Sequence, residues 1–239
     1  MEPLNVTGHA TMSSAMKDAH NYHRYLCSLI LPHLGRRVLE IGPGYGQYTE
    51  AFVNEFREVY ALDIDAQCVA HLQRVLPQVK AVEGNLDSDK CLEPFQDIRF
   101  DTVIALNVLE HIADDVAALE RLNSVTIAGG ELLLLVPAHI RLYGQMDRLA
   151  GHYRRYNKQM LGKVLREAGF RVVEMKYINP VGGMGWYLNS KFYKPASLST
   201  QAVNSQILFF DKYVLPLSRL LTPVFEGFFG QSLWCRAIK

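Results

Sequence analysis

From Arg37 onward the chain alternates short apolar runs with amphipathic ones. Arg37-Val-Leu-Glu-Ile41, Glu58-Val-Tyr-Ala-Leu-Asp63, Val79-Lys-Ala-Val82, Phe100-Asp-Thr-Val-Ile-Ala-Leu106 and Glu131-Leu-Leu-Leu-Leu-Val136 read as buried strands. Residues 47–56, 66–75 and a stretch ending near Leu122 read as the helices between them. Nearly continuous apolar strands separated by helices predict a parallel sheet covered on both faces. A further helix is predicted over 157–168, a sixth strand over Phe170-Arg-Val-Val-Glu-Met175, and a seventh over Ser232-Leu-Trp-Cys-Arg-Ala-Ile238. The expected fold is α/β, a seven-stranded and mostly parallel sheet flanked by helices.

Two stretches lie outside this rhythm. Ala15 to Leu31 has helical spacing, with Tyr22, Leu26 and Leu29 on one face, Tyr25 beside them, and Pro32 and Gly35 closing the helix. Residues 178–230 are rich in aromatic side chains, among them Trp186, Tyr187, Phe192, Phe209, Phe210 and Tyr213. A structureless loop of that length is implausible in a compact domain. It reads as a helical insertion, with Phe210, Val214, Leu217 and Leu221 at helical spacing. The expected organisation is one domain over 1–239: an N-terminal helix at 15–34, a core at 35–177 and 231–239, and the insertion between.

The sharpest motif is Glu40-Ile-Gly-Pro-Gly-Tyr-Gly46, which leaves the first strand and enters a helix. Gly42, Gly44 and Gly46 allow a tight turn and close approach of a ligand to the main chain. Open α/β sheets bind nucleotides at such a point. A dinucleotide fingerprint would place its third glycine at position 47, where the chain has Gln47. Asp63 ends the second strand and is placed to accept from ribose hydroxyls, although Asp63 and Asp65 are equally placed to cap the next helix.

In order, Val38-Leu-Glu-Ile-Gly-Pro-Gly-Tyr-Gly46, Tyr60-Ala-Leu-Asp-Ile-Asp65, Glu83-Gly-Asn-Leu-Asp87, Phe100-Asp-Thr-Val-Ile-Ala-Leu-Asn-Val-Leu-Glu-His-Ile112 and Gly129-Gly-Glu-Leu-Leu-Leu-Leu-Val136 resemble the five motifs of class I methyltransferases dependent on S-adenosylmethionine (SAM). The resemblance implies a Rossmann-like sheet with an antiparallel edge pair, a helical lid, and SAM as cofactor. It places the backbone of Gly42, Gly44 and Gly46 along the methionine part of SAM. It puts Glu40 near the amino group, Asp63 on the ribose, Ile64 on adenine, and the Leu86 N–H at the adenine edge. Asn107 would offer its carbonyl to the amino group. Asn85 stands where the family commonly has Asp, and accepts through a neutral amide oxygen. His20, Asn21 and Tyr22 are similar to the family's lid, which makes Tyr22 a substrate-side candidate.

Methyl transfer from a sulfonium depends mainly on positioning, and needs a base only when the acceptor must lose a proton. His111, after the fourth strand, and His152, after the fifth, are the candidate bases. Tyr143, Arg155 and Trp186 are the candidate substrate contacts, Arg155 as a fork for a carboxylate or phosphate. No metal site is expected: Cys27, Cys68, Cys91 and Cys235 form no CxxC pair, and Asp114-Asp115 suits a helix start.

The balance of 25 basic and 24 acidic residues gives no basic stripe for nucleic acid. Met1-Glu2-Pro3 does not open a signal peptide, and no apolar run reaches the roughly 18 residues of a membrane span, so a cytoplasmic protein is expected. The leading reading is methylation of a metabolite, natural product or lipid-like acceptor. The alternatives are a SAM-binding module or interaction protein without catalysis, and a nicotinamide-dependent oxidoreductase. The aromatic insertion would line the acceptor pocket, form a homodimer interface or touch a membrane surface peripherally.

Overall fold

The structure, a computed structural model, describes residues 18–184, 205 and 207–239. The sheet has strands β1 (Arg37–Ile41), β2 (Glu58–Asp63), β3 (Lys80–Glu83), β4 (Phe100–Leu106), β5 (Thr126–Pro137), β6 (Arg171–Ile178) and β7 (Ser232–Ile238), in the order β3-β2-β1-β4-β5-β7-β6. Only β7 runs against its neighbours, pairing antiparallel with both β5 and β6. The Rossmann-like sheet with an antiparallel edge pair is therefore present.

The chain builds β1 to β3 toward one edge, then returns to lay β4 on the other side of β1. That reversal opens a crevice at the carboxyl ends of β1 and β4, the place where open α/β sheets take their ligands. The strands are buried as the apolar runs require. Leu39, Val103, Leu132 and Leu134 belong to the core on one face, and Val38, Ile104, Leu133 and Trp234 to the core on the other.

The helices are α1 (His20–Ile30), α2 (Thr49–Phe52), α3 (Ala66–Val75), α4 (Asp115–Val125), α5 (Gln145–Leu149), α6 (Lys158–Glu167) and α7 (Leu215–Phe225). Several boundaries differ from expectation, each for a local reason. α2 is shorter than 47–56 because the Asn54 side chain accepts the Phe56 N–H, a turn that competes with the helix. β5 begins five residues early, at Thr126, because Gly129 takes a left-handed conformation and the Gly129 N–H and Gly130 carbonyl pair with Lys239 at the chain's end. β6 continues to Ile178 because β7 supplies partners up to Ser232.

In the insertion, a wide turn at Phe210–Val214 runs into α7. The buried side chains there are Asp211, Leu215, Ser218 and Thr222, not the expected stripe of Phe210, Val214, Leu217 and Leu221. Hydrogen bonding decides it. The Ser218 hydroxyl donates to the Asn179 side chain and accepts the Val181 N–H, which holds α7 against the end of β6. Leu217, Leu220 and Val224 face outward. Among the described residues no helix is long and apolar enough to cross a membrane.

Candidate active site at the carboxyl edge of the sheet

The glycine loop is a run of left-handed backbone. Gly42, Gly44 and Gly46 have φ of 67°, 58° and 80°. A Cβ on Gly42 would stand 2.6 Å from Cγ2 of Val108, so the loop after β1 lies directly against the loop after β4. That contact closes the floor of the crevice.

Two carboxylates stand behind the loop. Asp63 is buried; its Oδ2 accepts the Gly44 N–H at 2.9 Å and its Oδ1 accepts the Asp65 N–H at 2.9 Å. The helix cap is Asp65, whose side chain accepts the Gln67 N–H. The Ile64 N–H also bears on the Asp63 carboxylate, which keeps acceptor capacity for one further donor. Glu40 is buried and accepts the Thr49 hydroxyl at 2.6 Å. Burial pushes its carboxyl up to about 7, with Asp63 adding to the rise and Thr49 opposing it.

The other expected cofactor contacts line the same edge. Ile64 follows β2 and is 41% exposed, an apolar side chain left open beside a buried carboxylate. Asn85, after β3, is exposed, and its side chain accepts the Asp87 N–H. Leu86 buries its side chain in the core. Asn107, after β4, is exposed and left-handed at φ 54°. His139 after β5 and Asn179 after β6 are also left-handed, so among the described residues the non-glycine residues with positive φ all follow strands at this one edge. Strained backbone of this kind gathers where ligands are handled.

The first turn of α1, the expected lid helix, is tied to two neighbouring segments. Its free N–H groups at Asn21 and Tyr22 donate to the Asp211 carboxylate from the insertion, at 3.1 and 2.7 Å. His23 reaches the Gln47 carbonyl in the glycine loop at 2.6 Å and stacks on Tyr48. Tyr22 hydrogen-bonds Ser232 at the start of β7, and burial pushes its phenol up to about 12.

The loops after β4 and β5 are clamped together. Asp115 receives the Tyr156 hydroxyl at 2.8 Å and the Arg154 guanidinium at 2.8 Å, and the Tyr153 N–H donates to the Glu110 carbonyl. This clamp brings together two histidines far apart in sequence. His111 and His152 meet edge to face with ring centroids 4.7 Å apart. Burial lowers His111 to about 4, with His152 adding to the effect. His152 Nδ1 lies 3.0 Å from Asp147 Oδ1, and its Nε2 lies 4.0 Å from Glu110 Oε1. Glu110 is fully buried, and its carboxyl is raised to about 7, chiefly by that burial.

The structure departs from one of the expected substrate contacts. Arg155 is 2% exposed; its Nε pairs with Asp147 at 2.8 Å and a terminal nitrogen donates to the Ala138 carbonyl. A guanidinium spent on a buried carboxylate is framework, not a fork for substrate. Tyr143 is half-buried, and its hydroxyl donates to the His152 carbonyl at 2.7 Å. Trp186 lies outside the described residues. Glu110 and Asp147 escaped the sequence reading, although Glu110 stands beside His111 within the fourth motif.

A methyltransferase-domain family model matches residues 19–175. The chain belongs to the SAM-dependent methyltransferase family. A "probable S-adenosylmethionine-dependent methyltransferase" of Mycolicibacterium smegmatis is 30% identical over 174 residues, 71% of this chain and 66% of that protein. The chain therefore spans just under two thirds of that relative's length. A ubiquinone biosynthesis O-methyltransferase of Xanthomonas campestris is 27% identical over 106 residues, 42% of each chain. Among solved structures, a SAM-dependent methyltransferase from Archaeoglobus fulgidus superposes with a TM-score of 0.59 over 95% of both chains at 19% identity, a likeness of fold.

Proposed function

We propose that the chain moves the methyl group of SAM to a small-molecule acceptor by in-line displacement. The observation that carries this reading is the left-handed glycine loop packed on Val108, with Asp63 and Glu40 behind it. The residues suit SAM. Asp63 has acceptor capacity left for a ribose hydroxyl, and Ile64 offers an open apolar face for adenine. Glu40 answers the charge of the amino group, and Asn107 presents its backbone at the strand end beside it. Asn85 and the Leu86 N–H would take the adenine edge. SAM, when bound, supplies an electrophilic methyl on a sulfonium. The protein's share is to orient it, shield it from water and hold the acceptor in line.

Support for a small acceptor comes from the near-neutral charge, 25 basic against 24 acidic residues, and from the matched relative named for ubiquinone biosynthesis. Tyr22 and the anchored lid would close the acceptor side. The test is a panel of phenols, amines and carboxylates incubated with SAM and the purified chain. Release of S-adenosylhomocysteine (SAH) that depends on one acceptor class is expected. SAM bound tightly but converted to SAH with no class would leave a binding module instead of an enzyme.

A further inference from the structure

Among the described residues, Glu110 poses a problem that the cofactor site does not solve. Its side chain is fully buried, and neither carboxylate oxygen has a hydrogen-bond partner. Buried carboxylates are ordinarily hydrogen-bonded, paired or bound to a metal, because an isolated one is costly. The nearest base, His152 Nε2 at 4.0 Å, is too far for a hydrogen bond. The gap is of the size that an ion would fill.

We propose that Glu110, His111 and His152 form a site for one divalent transition-metal ion of the zinc type. Each residue offers one ligand atom, and the three atoms all lie within 4.8 Å of one another. Zinc bonds of about 2.0–2.1 Å put tetrahedral ligand atoms about 3.4 Å apart. Side-chain rotations of roughly an ångström therefore close the site around the ion. Two imidazoles and a carboxylate, with no thiolate, suit zinc and its first-row neighbours, and three protein ligands leave a coordination position open.

The surroundings are built as the support of a metal-binding histidine is built. Asp147 Oδ1 engages His152 Nδ1 at 3.0 Å, which leaves Nε2 toward Glu110. Asp147 is itself fixed by Arg155 Nε at 2.8 Å and by the Gly144 N–H at 2.8 Å. A carboxylate behind the outer ring nitrogen sets the tautomer and aims the inner one. This gives a reason for the buried Asp147–Arg155 pair. The site borders the crevice, because Val108, two residues before Glu110, packs on Gly42. Its use rests on the methyl-transfer reading; its existence does not.

The experiment uses the untagged chain stripped by a chelator. Zinc is titrated against a chromophoric competitor, and cobalt(II) is followed by visible absorption. One zinc per chain and a cobalt d–d band of tetrahedral intensity are expected. In Glu110→Gln and His111→Gln the zinc affinity should fall at least about tenfold, and in Asp147→Asn about 10–100-fold. In His71→Ala, whose half-buried ring meets Tyr45 of the glycine loop and takes no part in the cluster, it should be unchanged. Circular dichroism checks that each variant folds, and the unmodified chain decides the matter if one does not. Absence of stoichiometric zinc and of the cobalt band in that chain overturns the proposal. So does tight zinc that persists in folded Glu110→Gln and His111→Gln. SAH calorimetry on the same sample separates the readings: zinc bound without SAH counts against methyl transfer and still supports the site.

Discussion

The crevice has two walls, and they are made differently. The β1–β2 wall is written by backbone: three left-handed glycines, two carboxylates on strand ends, and N–H groups that point into the loop. The β4–β5 wall is written by side chains that meet across long stretches of chain, Glu110 and His111 with His152, Asp115 with Tyr156. The first wall fails when a backbone conformation is denied. The second fails when one partner of a buried charge is removed.

The largest effect should come from the second wall. Arg155→Ala leaves Asp147 buried without its cation, and breaking such a pair costs about 3–5 kcal/mol. Denaturant unfolding should show that loss, with His152 displaced. A loss below about 1 kcal/mol would return Arg155 to the substrate-fork role first expected of it. Next comes Gly42→Ala. Its φ of 67° is unfavourable for an L side chain, and the new Cβ meets Val108. Strain and overpacking together cost about 2–4 kcal/mol, and SAH binding should vanish with them. A variant of wild-type stability that binds SAH would show that the loop is not built on this contact.

Asp63→Ala should cost about 1.5–3 kcal/mol of ligand affinity, a loss of roughly tenfold to a hundredfold. Because Asp63 also holds the Gly44 and Asp65 N–H groups, it should lower the melting temperature as well. Affinity loss at unchanged stability would mean that the loop stands without it. The smallest effect is a pH dependence at Glu40, whose carboxyl is raised to about 7 in the folded chain. A carboxyl raised on folding favours the fold while protonated. That contribution is complete below its unfolded value and is lost as pH rises through about 7. The amino group of SAM favours the carboxylate, so SAH affinity should rise toward that pH and binding at lower pH should release a proton. Glu40→Gln should flatten both trends; an unchanged proton release in that variant would assign it to another group.

The difference between the walls also explains what could be read from the sequence. The strands and the glycine loop are local, and their apolar runs and spacing name them outright: β2, β4 and β7 have the bounds that their runs predict. Asp63 was legible as a strand-end acid, while its grip on Gly44 was not, because that bond depends on how β2 is set beside β1. His111 and His152 each looked like a lone base. No local signal says that the Asp115 clamp folds one loop back on the other. Arg155 read as a substrate fork since it sits among other arginines and tyrosines, and only the packing shows that Asp147 claims it. α7 misled for a different reason: its buried side carries Ser218 and Thr222, so apolar spacing pointed away from the contact.

The central claim is that the crevice takes SAM, and calorimetry tests it most directly. SAH titrated into the wild-type chain should bind with one site in the micromolar range, about 8 kcal/mol. Nicotinamide dinucleotide should give no heat of binding under the same conditions. Binding of the dinucleotide without binding of SAH would contradict the account.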